Sequence, residues 1–134
     1  MTEEPYVLVL YYSTGGATKS LAMEIARGID NVPGIHPKIR TVPDIHSAND
    51  STAPSTAKSV HPFCKKEELR LCSGLSMGSG TRFGNMAAQL KYFLDSTADI
   101  WSSNQLEGKP ASVFCSSSSM HGGQESTLLS MMIP

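Results

Sequence analysis

The chain opens with an unbroken apolar run that leads through a turn of small residues into an amphipathic segment. Residues 6–12 (YVLVLYY) are seven consecutive strand-forming residues, which is the pattern of a strand buried on both faces of a parallel sheet. After the turn at 13–18, apolar side chains recur at three- and four-residue spacing on one face of a predicted helix: Leu21, Ala22, Ile25, Ala26 and Ile29. The pattern therefore predicts a βα unit, and such units bind anions at the helix N-terminus.

The remaining pattern continues the alternation of strands and helices. The predicted elements are a short edge strand over 35–42, a surface loop over 44–64, a short helix over 65–72, an unusually polar strand over 74–79, a helix that Asn85 begins and caps, a strand over 111–115, and a helix in the last eleven residues. Because crossovers between parallel strands are right-handed, this order predicts an α/β fold with a doubly wound parallel sheet. We expect a single domain over 1–134.

Three predicted loops share an unusual composition. The segments 13–18, 79–85 and 116–123 follow the first, third and fourth strands and are rich in Gly, Ser, Thr and Asn. Parallel sheets of this kind bind ligands at the carboxyl ends of their strands, where the strand order reverses. We therefore expect the three loops to meet in one binding site.

The first of these loops indicates which ligand this would be. It lacks the pattern of a nucleotide-triphosphate loop, because Ser13 and Thr18 occupy both glycine positions, and it lacks the third glycine of a dinucleotide loop. What remains, Ser-x-Gly-Gly-x-Thr, offers two hydroxyls and several amides, which suits a monophosphate and resembles the phosphate loop of flavodoxins. An ordinary glycine-rich βα turn stays open as the alternative.

Composition excludes several other classes of function. The 134 residues carry a net charge of −1, with 11 basic and 12 acidic side chains, and no basic face or tail that would indicate a nucleic-acid or membrane partner. No apolar stretch approaches the roughly 18 residues of a membrane span, and the acidic start is unlike a secretory leader. Three cysteines without C-x-x-C spacing favour reduced thiols in the cytoplasm, and the scattered histidines predict no metal site.

Several segments resemble one enzyme family. Residues 80–95 (GTRFGNMAAQLKYFLD) closely resemble the flavin-loop signature of the WrbA-type NAD(P)H:quinone oxidoreductases, which are flavodoxin-like. Residues 7–13, 106–114 and 121–128 are also similar to that family. The resemblance covers nearly the whole chain except the loop at 44–64.

The resemblance implies non-covalently bound FMN and a set of residues that hold it. The phosphate would lie on the first loop (Ser13, Thr14, Gly15, Gly16, Ala17 and Thr18), the isoalloxazine and ribityl chain on the second (Thr81, Arg82, Phe83, Gly84 and Asn85), and the third would close the other side (Ser116, Ser117, Ser118 and the backbone through Gly122). Hydride would pass from NAD(P)H to the flavin and on to a quinone. The flavin would carry the chemistry, so no catalytic side chain is expected.

The resemblance also bears on substrate contacts and assembly. Phe83 would line the substrate site, and Trp101 would form a wall of that site across subunits of a homo-oligomer, a dimer or tetramer. The alternative for Trp101 is an ordinary packing residue.

The chain also departs from the family pattern. Family members continue beyond residue 134, so the resemblance implies a fold that lacks the fifth strand and last helix. Ser76 stands where the family buries an aliphatic residue, and we expect a cost for its hydroxyl if it has no partner. A catalytically inactive, flavin-free remnant or partner-binding fragment is therefore the alternative function.

A second alternative is a hydrolase. Residues 74–78 match the pattern G-x-S-x-G, which would make Ser76 a nucleophile, with Asp95 or Asp99 and then His121 in hydrolase order. The pattern requires a helix directly after the serine, whereas the predicted helix begins only at Asn85. This disfavours the hydrolase.

Overall fold

The computed structural model describes residues 3–46 and 59–134. The elements are β1 (Tyr6–Tyr12), α1 (Ala17–Asp30), β2 (His36–Thr41), α2 (Lys66–Leu71), β3 (Gly74–Gly80), α3 (Ala88–Asp95), α4 (Ala98–Ser102), β4 (Ala111–Ser116) and α5 (Gln124–Met132). Most of the predicted loop at 44–64 lies outside the described residues. Within the described ranges, no helix combines the length and the apolar character needed to cross a bilayer.

The four strands form one parallel sheet in the order β2-β1-β3-β4. In the central pair, Val9 lies opposite Ser76 and Tyr11 opposite Gly78. The order reverses between β1 and β3, because β2 extends the sheet to one side of β1 and β3 with β4 extends it to the other. The predicted α/β flavodoxin-like, doubly wound fold is confirmed, and its switch point lies between β1 and β3.

Helices cover both faces of this sheet. On one face, α1 packs Ala22 and Ala26 against Val9 and Tyr11 of β1. On the other, the core contains residues of β1, β3 and helices α2 to α5: Leu8, Leu10, Leu69, Met77, Leu90, Ile100 and Met131. Because both faces of β1 are covered, its continuous apolar run is explained. The predicted apolar face of α1 is wrong at Leu21, which is 40% exposed.

The third predicted helix begins later than expected. Asn85 is not its cap: α3 starts at Ala88, and the N-cap position is Ala87, which makes no side-chain capping bond. Instead the Asn85 backbone pairs with Arg82 in a tight turn. The Ala87 amide donates to Ser79 Oγ at 2.9 Å, so the segment before α3 is fixed by the end of β3 rather than by helix geometry.

Ser76 is a buried strand residue with a hydrogen-bonding partner. It is 4% exposed, lies in the middle of β3, and its hydroxyl accepts a 3.0 Å bond from Ser112 Oγ on β4. The condition for a cost, a hydroxyl without a partner, is therefore not met. The G-x-S-x-G match also loses its meaning, because a nucleophilic serine must stand exposed on a turn between strand and helix.

Candidate functional site

The loop between β1 and α1 is shaped as an anion cradle. Gly16, the N-cap of α1, has φ = 95°, and its amide donates to Ser13 Oγ at 3.0 Å. The first bond into the helix runs from Ser20 N to the Gly16 carbonyl at 3.0 Å, so the amides of residues 17–19 have no intrahelical acceptor. A Cβ built at Gly15 or Gly16 would meet nothing within 4 Å. Free amides, the positive end of the helix dipole and open space together suit a phosphate.

The loop after β3 is a two-residue turn that displays a phenyl ring. Arg82 N donates to the Asn85 carbonyl at 2.8 Å and Asn85 N to the Arg82 carbonyl at 2.9 Å. The two central residues, Phe83 and Gly84, have φ of 50° and 72°, the left-handed conformation that such turns require and that phenylalanine adopts only at a cost. The ring of Phe83 is fully exposed, so the turn presents an apolar surface beside the switch point.

The loop after β4 is held in shape by the first residue of α5. Gln124 Nε2 donates to Ser117 Oγ at 2.7 Å and to the Ser119 carbonyl at 3.1 Å. At the N-cap of α5, Gly123 has φ = 98°. The serine-rich segment 116–119 is therefore held around the side-chain amide of Gln124. Ser118 is exposed, and the segment has no aliphatic side chains that could form a core.

The structure brings the three loops together. Arg82 donates from its guanidinium to Thr14 Oγ1 at 2.5 Å, which links the second loop to the first. The Thr18 and Ser116 hydroxyls lie 2.8 Å apart, which links the first to the third. A Cβ on Gly123 would lie 3.1 Å from Gly84 Cα, so the third loop packs directly on the second.

Two threonines in the predicted site differ in what their hydroxyls contact. Thr18 is only 2% exposed, and its bond to Ser116 Oγ makes it a link between loops. Thr81 Oγ1 is buried and makes no hydrogen bond by distance and angle among the described residues, although it lies near enough to the Cys115 thiol to lower that thiol's pKa against the larger effect of burial. An orphaned buried hydroxyl on the middle loop is a group that a bound ligand can satisfy.

Two cationic side chains, Lys19 and Arg82, lie at this edge, together with the carboxylate of Asp44, which accepts a hydrogen bond from Tyr12. Six lysines and arginines of the described residues pair with acids, as Lys38 does with Glu3 at 2.6 Å and Arg40 with Glu68 at 2.8 Å, whereas Lys65 and Lys109 form no ion pair there. Over residues 3–46 and 59–134, neither Lys19 nor Arg82 forms an ion pair. The site is therefore complementary to an anion.

Two titratable groups at the carboxyl edge of the sheet, the Tyr12 hydroxyl and the Cys115 thiol, stay neutral near pH 7. Burial, helped by a 2.6 Å bond from Tyr12 Oη to Asp44 Oδ1, raises the pKa of Tyr12 to about 12. Burial also raises the pKa of the Cys115 thiol at the end of β4. Neither group is suited to release a proton at neutral pH.

Trp101 lies on α4, outside the three loops that form the candidate site. It is 74% exposed on α4 and lines an apolar cavity of about 740 Å³ together with Leu106 and Met131. No residue of the three loops lines that cavity. Within one copy of the chain, the structure therefore does not place Trp101 beside Phe83.

Sequence reasoning missed Gln124 and Gly123 as organising residues of the site. Their signal was present as a Gly-Gly-Gln run whose two glycines directly precede the last predicted helix and whose Gln124 begins it. Because glycine with positive φ is common at helix N-termini and turns, that run alone could not show that Gly123 would touch the second loop.

Comparisons with known proteins agree with this architecture. A family model described as NADPH-dependent FMN reductase matches residues 5–133. Among curated relatives, an NAD(P)H dehydrogenase (quinone) of Solidesulfovibrio magneticus is 41% identical over 131 residues, covering 94% of this chain and 64% of that protein. One of the same description from Geobacter sulfurreducens is 39% identical over 128 residues, covering 92% of this chain and 63% of that protein. The chain thus spans just under two thirds of the length of these relatives.

Solved structures show the same fold at low sequence identity. A flavodoxin, WrbA-like protein from Agrobacterium tumefaciens superposes with a TM-score of 0.71 at 20% identity, over 98% of this chain and 71% of that one. A flavodoxin from the domain Archaea gives a TM-score of 0.52 at 18% identity, over 96% of this chain and 95% of that one.

Proposed function

Because the chain belongs to the NADPH-dependent FMN reductase family, we propose that it binds FMN at the β1/β3 switch point and reduces quinones with NAD(P)H. The observation that carries the proposal is the meeting of three polar loops at that point, with the free amides of residues 17–19 at its base. The named relatives support the choice of substrates, since they are described as NAD(P)H dehydrogenases acting on quinone.

The residues present fit FMN. The open space around Gly15 and Gly16 gives the phosphate close access to backbone amides, and the orphaned Thr81 hydroxyl provides a buried polar group on the second loop. We propose the phosphate on Ser13, Thr14 and the backbone of 15–18. The ring and ribityl chain would lie between the loop at 81–85 and the loop from Ser116 through Ser117 and Ser118 to Gly122.

The protein's part in the reaction is binding and orientation. When bound, FMN supplies the transfer of two electrons between NAD(P)H and a quinone. The backbone amides of the loops fix its position, and the exposed ring of Phe83 offers an apolar contact for a flat substrate. No acid or base among the described side chains is required at the site.

FMN binding and turnover test the proposal directly. Added to the purified chain, FMN should lose fluorescence with saturation in the micromolar range, because the ring enters a site walled by protein. NADPH should then bleach the flavin absorbance and benzoquinone should restore it. Absence of quenching at high micromolar protein would contradict the proposal and favour the flavin-free alternative.

We further propose a homo-oligomer, a dimer or tetramer, in which Trp101 forms a wall of a neighbouring copy's substrate site. The exposure of this side chain on α4 supports an intermolecular contact. Trp101 is the sole tryptophan of the chain, so its fluorescence is a specific probe. FMN should quench it in the oligomer, and Trp101→Ala should raise the KM for quinone while leaving the FMN affinity unchanged.

Light scattering provides the control for this prediction. If the chain is monomeric, or if FMN leaves tryptophan emission unchanged in an oligomer, Trp101 forms no wall of a substrate site. We also propose a cytoplasmic location without nucleic-acid or membrane partners. The free thiols of Cys64, Cys72 and Cys115 support that location.

A further inference from the structure

A histidine outside the three loops contacts the strand that leads into the phosphate loop. His61 Nδ1 and Tyr11 Oη are 2.7 Å apart, and the two rings meet edge to face with their centroids 5.6 Å apart. Tyr11 lies near the end of β1 and precedes Ser13, the first residue of the loop, by two positions. The imidazole therefore lies beside the point from which the phosphate loop departs.

The backbone that follows His61 is tied to the neighbouring strand. Thr41, the last residue of β2, donates from its amide to the Pro62 carbonyl at 3.0 Å, and its carbonyl accepts from the Cys64 amide at 2.8 Å. The Thr41 hydroxyl donates to the Tyr11 carbonyl at 2.7 Å. One residue thus joins β1, β2 and the segment after His61, and these backbone bonds hold the imidazole against Tyr11 whatever its charge.

The contact between Tyr11 and His61 is compatible with both charge states of the imidazole. Burial raises the pKa of Tyr11, so the phenol keeps its proton near pH 7. It can donate to Nδ1 of a neutral His61, and it can accept from the Nδ1–H of a protonated His61, because a phenol oxygen is both donor and acceptor. The charge of His61 is therefore decided by its surroundings and not by this bond.

The charged groups that act on His61 are cationic. Burial, followed by the charges of Lys19 on α1 and Arg40 on β2, lowers the pKa of His61. Arg40 is paired with Glu68 of α2 at 2.8 Å, whereas Lys19 forms no ion pair in 3–46 or 59–134. The titratable group that faces His61 from β1 is the neutral phenol of Tyr11. An anion close to Lys19 would offset the repulsion that favours neutral His61.

Lys19 connects His61 to the candidate phosphate position. The amide of Lys19 is among those of residues 17–19, which have no intrahelical acceptor. The charge of its side chain is one of the two that lower the pKa of His61. A phosphate on these amides would therefore lie on the same helical turn as a cation that acts on His61, and its negative charge would favour a proton on the imidazole.

We propose that His61 takes up a proton from solvent when a phosphate binds to the loop between β1 and α1, so that a phosphorylated flavin, unlike riboflavin, binds more tightly as His61 becomes protonated. This inference rests on the proposed function and adds to it a pH dependence of cofactor affinity. The gain in affinity is complete below the pKa of His61 in the free protein. It disappears as the pH rises through the higher pKa of His61 in the complex.

The experiment measures dissociation constants for FMN and for riboflavin, which lacks the phosphate, by flavin fluorescence. The range is about pH 5.5 to 8, because an unperturbed histidine titrates near about 6.5. The proteins are the wild-type chain, His61→Gln and the control His36→Gln. His36 is the first residue of β2, at the opposite edge of the sheet, where its Nδ1 lies 3.9 Å from Glu4. The comparison between proteins is essential, because the FMN phosphate itself gains a proton near pH ~6.

We expect His61→Gln to bind FMN within about twofold of the wild type near pH 8 and roughly 3- to 10-fold more weakly near pH 5.5, because only a protonated His61 attracts the phosphate. Riboflavin should bind both proteins alike at every pH, and His36→Gln should follow the wild type with both ligands. Calorimetry in two buffers of different ionisation enthalpy should show that the wild type takes up more protons per FMN bound than His61→Gln.

Parallel FMN profiles for the wild type and His61→Gln would overturn the inference. A pH-dependent difference that riboflavin shares would do the same, since it would place the effect in the fold and not at the phosphate. Should His61→Gln fail to fold, nuclear magnetic resonance of the wild type decides: the pKa of His61, identified by its contact with the Tyr11 ring, must rise when FMN is added. If the wild type binds neither flavin at any pH, the proposed function itself fails, and the inference with it.

Discussion

Gly16→Asp should abolish FMN binding and leave the fold in place. A Cβ at this position meets nothing within 4 Å, so the carboxylate has room and would stand on the loop assigned to the phosphate. At about 4 Å and an effective dielectric constant near 20, repulsion between two unit charges costs about 4 kcal/mol. We therefore expect an FMN dissociation constant weakened by more than roughly 100-fold, measured by flavin fluorescence, with the far-UV circular dichroism of the wild type.

The matched control is Gly16→Asn, which has the same shape without the charge. Gly16 has φ = 95°, and asparagine and aspartate tolerate positive φ better than other side chains. Both variants thus carry a similar backbone strain, and the difference between them isolates the charge. Equal FMN affinity in the two variants would contradict a phosphate at this loop.

Gly123→Ala should be strongly destabilising and should also weaken FMN binding. Gly123 has φ = 98°, where a side chain costs about 1–2 kcal/mol. Its Cβ would also lie 3.1 Å from the Cα of Gly84, which cannot retreat because it occupies the tight turn before α3. Adding a clash of roughly 1–3 kcal/mol, we expect the free energy of unfolding in urea to fall by about 2–5 kcal/mol.

Gly108→Ala is the control that separates the cost of a side chain at positive φ from the cost of a steric clash. Gly108 has φ = 78°, and a Cβ there meets nothing within 4 Å, so this variant should lose only the roughly 1–2 kcal/mol of strain and keep its FMN affinity. If Gly123→Ala costs no more than Gly108→Ala, the second and third loops do not depend on their close contact.

The periodicity of apolar residues predicted the fold correctly where an element depends on residues close to it in the sequence. The unbroken run of β1 and the spacing of Ala22 and Ala26 on α1 indicated a parallel sheet with helices on both faces, which the sheet order confirms. It failed at Asn85, a residue typical of helix caps, because hydrogen bonds to Arg82 and Ser79 from outside the helix fix that segment. It placed Ser76 correctly in a strand but could not identify the partner of its hydroxyl, because Ser112 lies 36 residues away on the neighbouring strand.

The sequence by itself determined that three polar loops would lie at the carboxyl edge of a doubly wound sheet, because each loop follows a predicted strand and parallel strands end at the same edge. Only the tertiary structure decided which side chains cross between those loops. The bond from Arg82 to Thr14, the engagement of Thr18 with Ser116 and the contact of Gly123 with Gly84 each join residues far apart in the chain. No periodicity encodes such pairs, because they depend on how packing against the sheet brings separate loops within a few ångströms of each other.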